Sequence, residues 1–188
     1  MDDLYLQLVL DGDTTKFSWF IDRYKGMAYS IAYRIVNNRE DAEEVVQDAF
    51  LKAFRSLGKF RKSSKFSTWF YRIVVNTSLT RVRSATPQSS SLDENDAGDL
   101  LVENVESTYR SLDLSEQKAL INEAMDELSM EDRLLLTLYY LNEDSIEEIT
   151  EITGIVRDNV KMKLHRARNR MYKVIQEKLK SEIRSVLS

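Results

Sequence analysis

The residues that could do chemistry here are cations threaded among rings. The stretch KFRKSSKFSTWFYRIVVNTSLTRVR, Lys59 to Arg83, holds seven bases (Lys59, Arg61, Lys62, Lys65, Arg72, Arg81 and Arg83) and no acid. A second concentration runs from Arg157 to Arg184, with ten bases against three acids. Lys and Arg hold phosphates and release their counterions. Rings beside such a groove stack unpaired bases, worth roughly 1–3 kcal/mol each. An Asn such as Asn76 offers donor and acceptor together and can read a base edge. All of this chemistry is non-covalent. The chain has no Cys and one His, which excludes thiolate metal sites, disulfides and cysteine nucleophiles. No Gly-rich phosphate loop, metal cluster or nucleophile–base pair is visible, so no cofactor and no metal is expected. The lone His165 is too isolated for a catalytic pair.

The charge is local. The 188 residues carry a formal net charge of −4. Between the basic stretches lies TPQSSSLDENDAGDLLVENVEST, which has the only Pro and six acids with no base. It reads as a flexible acidic linker over 86–111, joining a domain 1–85 to a domain 112–188. No apolar run nears membrane-spanning length, and the expected protein is soluble, intracellular and not inserted in a membrane.

The elements that must position these residues are helices, and the fold class expected is all-α. Phe17, Phe20, Ile21, Tyr24, Ala28, Ile31, Ala32 and Ile35 recur at three- and four-residue steps. Asn38 is placed to cap the next helix, with Glu40 and Asp41 in its first turn. Ala42, Val45, Val46, Ala49, Phe50 and Ala53 form its apolar stripe. The opposite face presents Asp41, Glu44, Gln47, Asp48 and Lys52 to solvent. WFYRIVVNT has strand propensity, but Phe66, Trp69, Phe70, Ile73, Val74 and Thr77 follow helical spacing. The spacing predicts a helix over about 67–83, capped by Ser64 or Ser67. Its polar stripe runs through Lys65, Thr68, Arg72, Asn76, Thr80 and Arg83, and Trp69, Phe70 and Ile73 belong to the core.

In the C-terminal half, Ser145 and Glu148 make a capping box for a short helix with Ile146, Ile149 and Ile152 inward. Gly154 ends it. Asp158 is placed to cap a longer helix from about Asn159. Two helices joined by a short turn with a Gly is helix-turn-helix spacing. Val160, Leu164 and Ala167 face inward, which leaves Lys161, Met162, His165 and Arg166 outward.

EDAEEVVQDAFLKAF, KFRKSSKFSTWFYRIVVNT and LSMEDRLLLTLYYLNEDSIEEITEITGIVRDNVKMKLHRAR, in that order, resemble the extracytoplasmic-function sigma factors, the minimal two-domain sigma subunits of bacterial RNA polymerase. The resemblance implies a cytoplasmic, non-enzymatic protein. It would bind core polymerase at the β′ clamp helices and β flap, recognise promoter DNA, and answer to an anti-sigma factor. It assigns Asp41, Glu44, Gln47, Asp48 and Leu51 to core binding. Arg61, Ser63, Ser64, Phe66 and Asn76 would form a pocket for a base flipped from the −10 element. Lys65, Arg72, Arg81 and Arg83 would hold the melted strand there. Lys161, Met162, Lys163, His165, Arg166 and Arg168 would serve the −35 element. The linker would thread the polymerase cleft, where its carboxylates imitate nucleic-acid charge. The sequence departs from the family at Leu128-Ser129, where Leu-Pro is usual, at Asp158-Asn159, where Gly-Thr is common, at Met162, where a small Ser is common, and at Thr80, where Asp is common. Two alternatives differ in class. A helix-turn-helix regulator independent of polymerase leaves the Lys59–Arg83 stretch without work. A helical enzyme on a phosphorylated substrate lacks a nucleophile.

Overall fold

The computed structural model describes residues 1–85, 109 and 112–186. Apart from Tyr109, the expected linker lies outside the described residues. Every regular element among them is helical. In chain order they are α1 (Asp2–Leu10), a 3₁₀ turn (Thr14–Phe17), α2 (Ser18–Val36), α3 (Arg39–Ser56), a 3₁₀ turn (Leu57–Lys59) and α4 (Phe66–Ala85). Then come α5 (Leu114–Asp126), α6 (Met130–Leu136) running into a π-helical turn (Thr137–Leu141), α7 (Ile146–Thr153) and α8 (Arg157–Val186).

Helices α2, α3 and α4 pack against one another in a three-helix bundle. Phe20, Ile31, Ala42, Ala49, Phe70 and Val74 lie at its centre, fully buried. Each large apolar side chain taken from water here contributes about 1.5–3 kcal/mol. The junction between α2 and α3 is made by two asparagines. Asn37 adopts the left-handed conformation (φ 53°) that ends α2. The Asn38 side chain accepts the Asp41 amide at 3.0 Å and starts α3.

The C-terminal half packs α6 and α7 on α8, and it also packs on the first half. Helix α7 lies against α4, and α6 against α2. One continuous apolar cluster runs from Leu6 to Ala167. Arg34 of α2 spans the join: its Nη2 donates to Asn122 Oδ1 at 3.0 Å, and its Nη1 lies 3.7 Å from Asp126.

Two expected helix starts are corrected. Helix α4 begins at Phe66, and the Lys65 carbonyl accepts its first internal bond from Trp69. Neither Ser64 nor Ser67 caps it. Helix α8 begins at Arg157, so Asp158 sits inside its first turn instead of capping it. There its charge still favours the positive end of the helix dipole. The missing family proline is replaced in function: the Ser129 hydroxyl accepts the Asp132 amide at 3.2 Å and starts α6.

Candidate nucleic-acid interface

The loop between the second 3₁₀ turn and α4 is shaped by rings below and a strained backbone above. Phe66 is buried, tilted on Phe20 with centroids at 4.3 Å and stacked on Phe70 at 6.0 Å. Phe60 meets Phe66 edge-on at 5.9 Å. Above them Lys62 takes φ 56°, a left-handed conformation uncommon for a residue with a side chain. The loop borders a cavity of about 450 Å3. Three of the residues expected to form a base pocket line it, Ser63, Ser64 and Phe66, together with Lys65, which was expected to hold the melted strand. Arg61 and Asn76 do not. Asp2 and Asp3 of α1 line it too, and sequence reasoning missed them. Their only sequence signal was that of first-turn acids in a short helix.

From the cavity the outer face of α4 continues through Arg72, Asn76 and Arg83, all exposed. Two members of the expected basic and polar set behave otherwise. Thr68 is buried, at 1% exposure, and its hydroxyl has no partner. It leaves the polar stripe because this side of α4 is covered. Arg81 turns back onto α3: its Nη2 lies 2.7 Å from Asp41 and 2.8 Å from Glu44. The neighbouring Asp41 raises the Arg81 pKa. So Arg81 is occupied by two carboxylates that the resemblance assigned to a different surface. The remaining face of α3, with Glu44, Gln47, Asp48 and Leu51, is exposed, and Phe54 stands beside it at 39% exposure.

The helix-turn-helix has the expected geometry. Ser145 and Glu148 close a reciprocal capping box, with bonds of 2.9 and 3.2 Å. Gly154 ends α7 at φ 76°. Ile149, Ile152, Val160, Leu164 and Ala167 are buried together. That sets Lys161, Met162 and His165 on the outer face, with Arg166 half-exposed. Other bases of α8 are answered from inside the fold. Lys163 Nζ lies 2.6 Å from Glu131, and Arg170 Nη1 2.7 Å from the buried Asp132. Lys163, expected to serve the −35 element, is thus paired with a carboxylate. Arg168 Nη1 lies 3.5 Å from the Tyr140 hydroxyl.

The two halves meet at the candidate site itself. Lys65 Nζ lies 2.8 Å from Glu148 of α7, and this bond raises the lysine pKa. Beside it Asp144 is buried, accepting from Asn142 Nδ2 at 2.7 Å. Burial lifts the Asp144 carboxyl to about 6, against the pull of the Asn142 bond. Among the described residues, no group of three or more His, Cys, Asp or Glu could hold a metal ion, and no helix is long and apolar enough to cross a membrane.

Residues 20–87 match the family model for sigma-70 region 2, and residues 118–171 that for sigma-70 region 4. The chain is 30% identical to the RNA polymerase sigma-H factor of Pseudomonas aeruginosa, over 95% of this chain and 96% of that protein. It is 32% identical to the ECF RNA polymerase sigma factor SigW of Bacillus subtilis (92% and 95%) and to the ECF RNA polymerase sigma-E factor of Escherichia coli K12 (93% and 94%). Among solved structures, it resembles CnrH in complex with the cytosolic domain of CnrY. That match has a TM-score of 0.63 and 19% identity over 93% of this chain and 96% of that one. It also resembles the sigma factor RpoE of Bartonella quintana in complex with the anti-sigma factor NepR, with a TM-score of 0.59, 19% identity, and 85% and 96% coverage.

Proposed function

The chain belongs to the extracytoplasmic-function sigma factors of RNA polymerase, and from that premise we propose which of its surfaces carries each step of promoter use. A sigma factor directs promoter-specific transcription initiation. Residues 1–85 form the unit that binds core polymerase and opens the −10 element, and residues 112–188 the unit that reads the −35 element. The exposed α3 face with Glu44, Gln47, Asp48 and Leu51 docks on the polymerase core, and the exposed Phe54 gives that face an apolar anchor. The cavity at Ser63–Phe66 receives the extruded base. Extrusion costs a few kcal/mol of stacking, and a preformed pocket offsets it. Arg72, Asn76 and Arg83 then hold the single strand. On α8, Lys161, Met162, His165 and Arg166 read the major groove. Arg168 serves phosphate.

The observation that carries this assignment is the 450 Å3 cavity, because it joins a basic loop, an aromatic floor and the start of α4 in one place. A regulator that reads intact duplex has no use for such a pocket. The protein does no bond chemistry of its own and works in the cytoplasm, where polymerase is. It takes an anti-sigma partner, as the structural neighbour from Bartonella quintana does. In vitro transcription with core polymerase on a pool of genomic fragments tests the whole assignment. Selective transcripts are expected, with permanganate reactivity confined to the −10 side. Transcripts that arise without melting there, or unselective ones, would remove it.

A further inference from the structure

The cavity beside the loop has a wall that comes from neither the loop nor α4. Asp2 and Asp3, in the first turn of α1, form it. Asp2 is committed elsewhere. One of its oxygens accepts the Tyr24 hydroxyl, and the other lies 3.7 Å from Arg23 Nε. Asp3 is not. Its Oδ1 lies 3.3 Å from Lys62 Nζ, its side chain is 83% exposed, and no other described residue bonds to it. One carboxylate oxygen therefore stands open beside the cavity.

The lining specifies a ligand part by part. Phe60, Phe66 and Leu6 give an apolar floor on which a planar ring can lie. Lys62 and Lys65 supply the cations that a sugar–phosphate backbone requires. Asp3 supplies acceptors and no donor, since an ionised carboxylate only accepts. Cytosine and adenine present an exocyclic amine, and guanine an amine beside a ring N–H. Thymine presents one ring N–H flanked by two carbonyl oxygens, which would face the carboxylate and be repelled by it.

We propose that Asp3 is a specificity-determining residue: its open oxygen accepts a hydrogen bond from the exocyclic amine of the base held in the cavity. The pocket thereby takes an amine-bearing base in preference to thymine. This rests on the reading that the Ser63–Phe66 loop holds the extruded base. The ion pair to Lys62 sets a backbone cation beside the acceptor on the same rim of the cavity.

The test uses the holoenzyme and non-template single strands that span the −10 element of a promoter it transcribes. Each position in turn is dC or deoxyuridine, which leaves the thymine methyl out of the comparison. At one position dC is expected to bind about tenfold more tightly. Asp3→Ala should bring that ratio close to one. Asp3→Asn should shift it toward deoxyuridine, because the amide can donate to O4. Both variants remove a negative charge and strengthen all strands alike, so the ratio is the readout and total affinity is not. Lys62→Met, which breaks the ion pair but keeps the carboxylate, should weaken every strand and leave the ratio unchanged.

An unchanged ratio in both Asp3 variants overturns the proposal, as does a ratio lost in Lys62→Met. If no position discriminates in the unaltered protein, Lys65→Ala separates the causes. Weaker binding of every strand by Lys65→Ala means the loop holds DNA but Asp3 does not read it. Unchanged binding removes the loop reading together with the proposal.

Discussion

The two surfaces proposed to face DNA are assembled in different ways. On α8 the proposed reading face is one helical stripe: Val160, Leu164 and Ala167 are buried, so Lys161, Met162 and His165 must face out. The proposed −10 surface is built from three segments: α1 brings Asp3, the loop brings Ser63 to Lys65, and α4 brings Phe66. A helix from the other half then adds Glu148. A stripe is additive, and its members can be changed one at a time. A pocket built from several elements is held by the packing beneath it. Damage to one of its walls is therefore felt by all of them.

The comparison is broken or sharpened most strongly at Phe66. This ring touches Phe20, Tyr24, Phe60, Trp69 and Phe70. Phe66→Ala should cost about 3–5 kcal/mol in urea unfolding and should abolish strand binding as well. A loss confined to DNA binding would mean that the pocket is a local feature after all. Arg166→Ala on the stripe should leave the unfolding midpoint within about 0.5 kcal/mol of the parent. It should weaken promoter binding by the holoenzyme by about 1–3 kcal/mol if the side chain reads a base.

The third prediction concerns pH. Asp144 is surrounded by Asn142, Glu148, Lys65 and Tyr71. Burial raises its carboxyl from 3.8 to about 6, so the folded chain holds this proton where the unfolded chain has released it. The resulting stabilisation is complete below 3.8 and is lost as pH rises through about 6. Asp144→Asn should remove that dependence. At pH 7.5 it should be the more stable protein by on the order of 1 kcal/mol, after discounting for partial solvent screening. Melting curves between pH 4.5 and 7.5 that run parallel for the two proteins would contradict this. The smallest effect is expected at Lys163. It is already paired with Glu131 at 2.6 Å, so Lys163→Met should change promoter affinity by less than about 0.5 kcal/mol. A larger loss would put Lys163 back on the reading face.

The helices were legible because their signals are local. Asn38, Ser145, Glu148 and Gly154 each act within four residues of their own position, and the apolar period of α8 decides which side faces out. The cavity was half legible: the loop and Phe66 adjoin in sequence. Asp3 comes from a helix whose packing no period in the loop reports. The charge pattern misled at Arg81 and Lys163 for a related reason. The sequence shows how many cations a helix has, whereas the fold decides which of them already face a carboxylate. Thr68 was misplaced because its side of α4 is covered in the fold, and nothing within α4 says so.

Glu148 accepts the Ser145 amide to start α7 and also holds Lys65 at the edge of the cavity. One carboxylate thus belongs to two equilibria. A phosphate that takes Lys65 must first displace Glu148, and the free energy of that exchange is common to both processes. By reciprocity, whatever strengthens the Lys65–Glu148 pair weakens the hold of Lys65 on a phosphate by the same factor. A phosphate bound at Lys65 in turn weakens that pair by the same factor. On the proposed assignment, the first helix of the −35 reader and the −10 pocket are therefore coupled before any polymerase arrives.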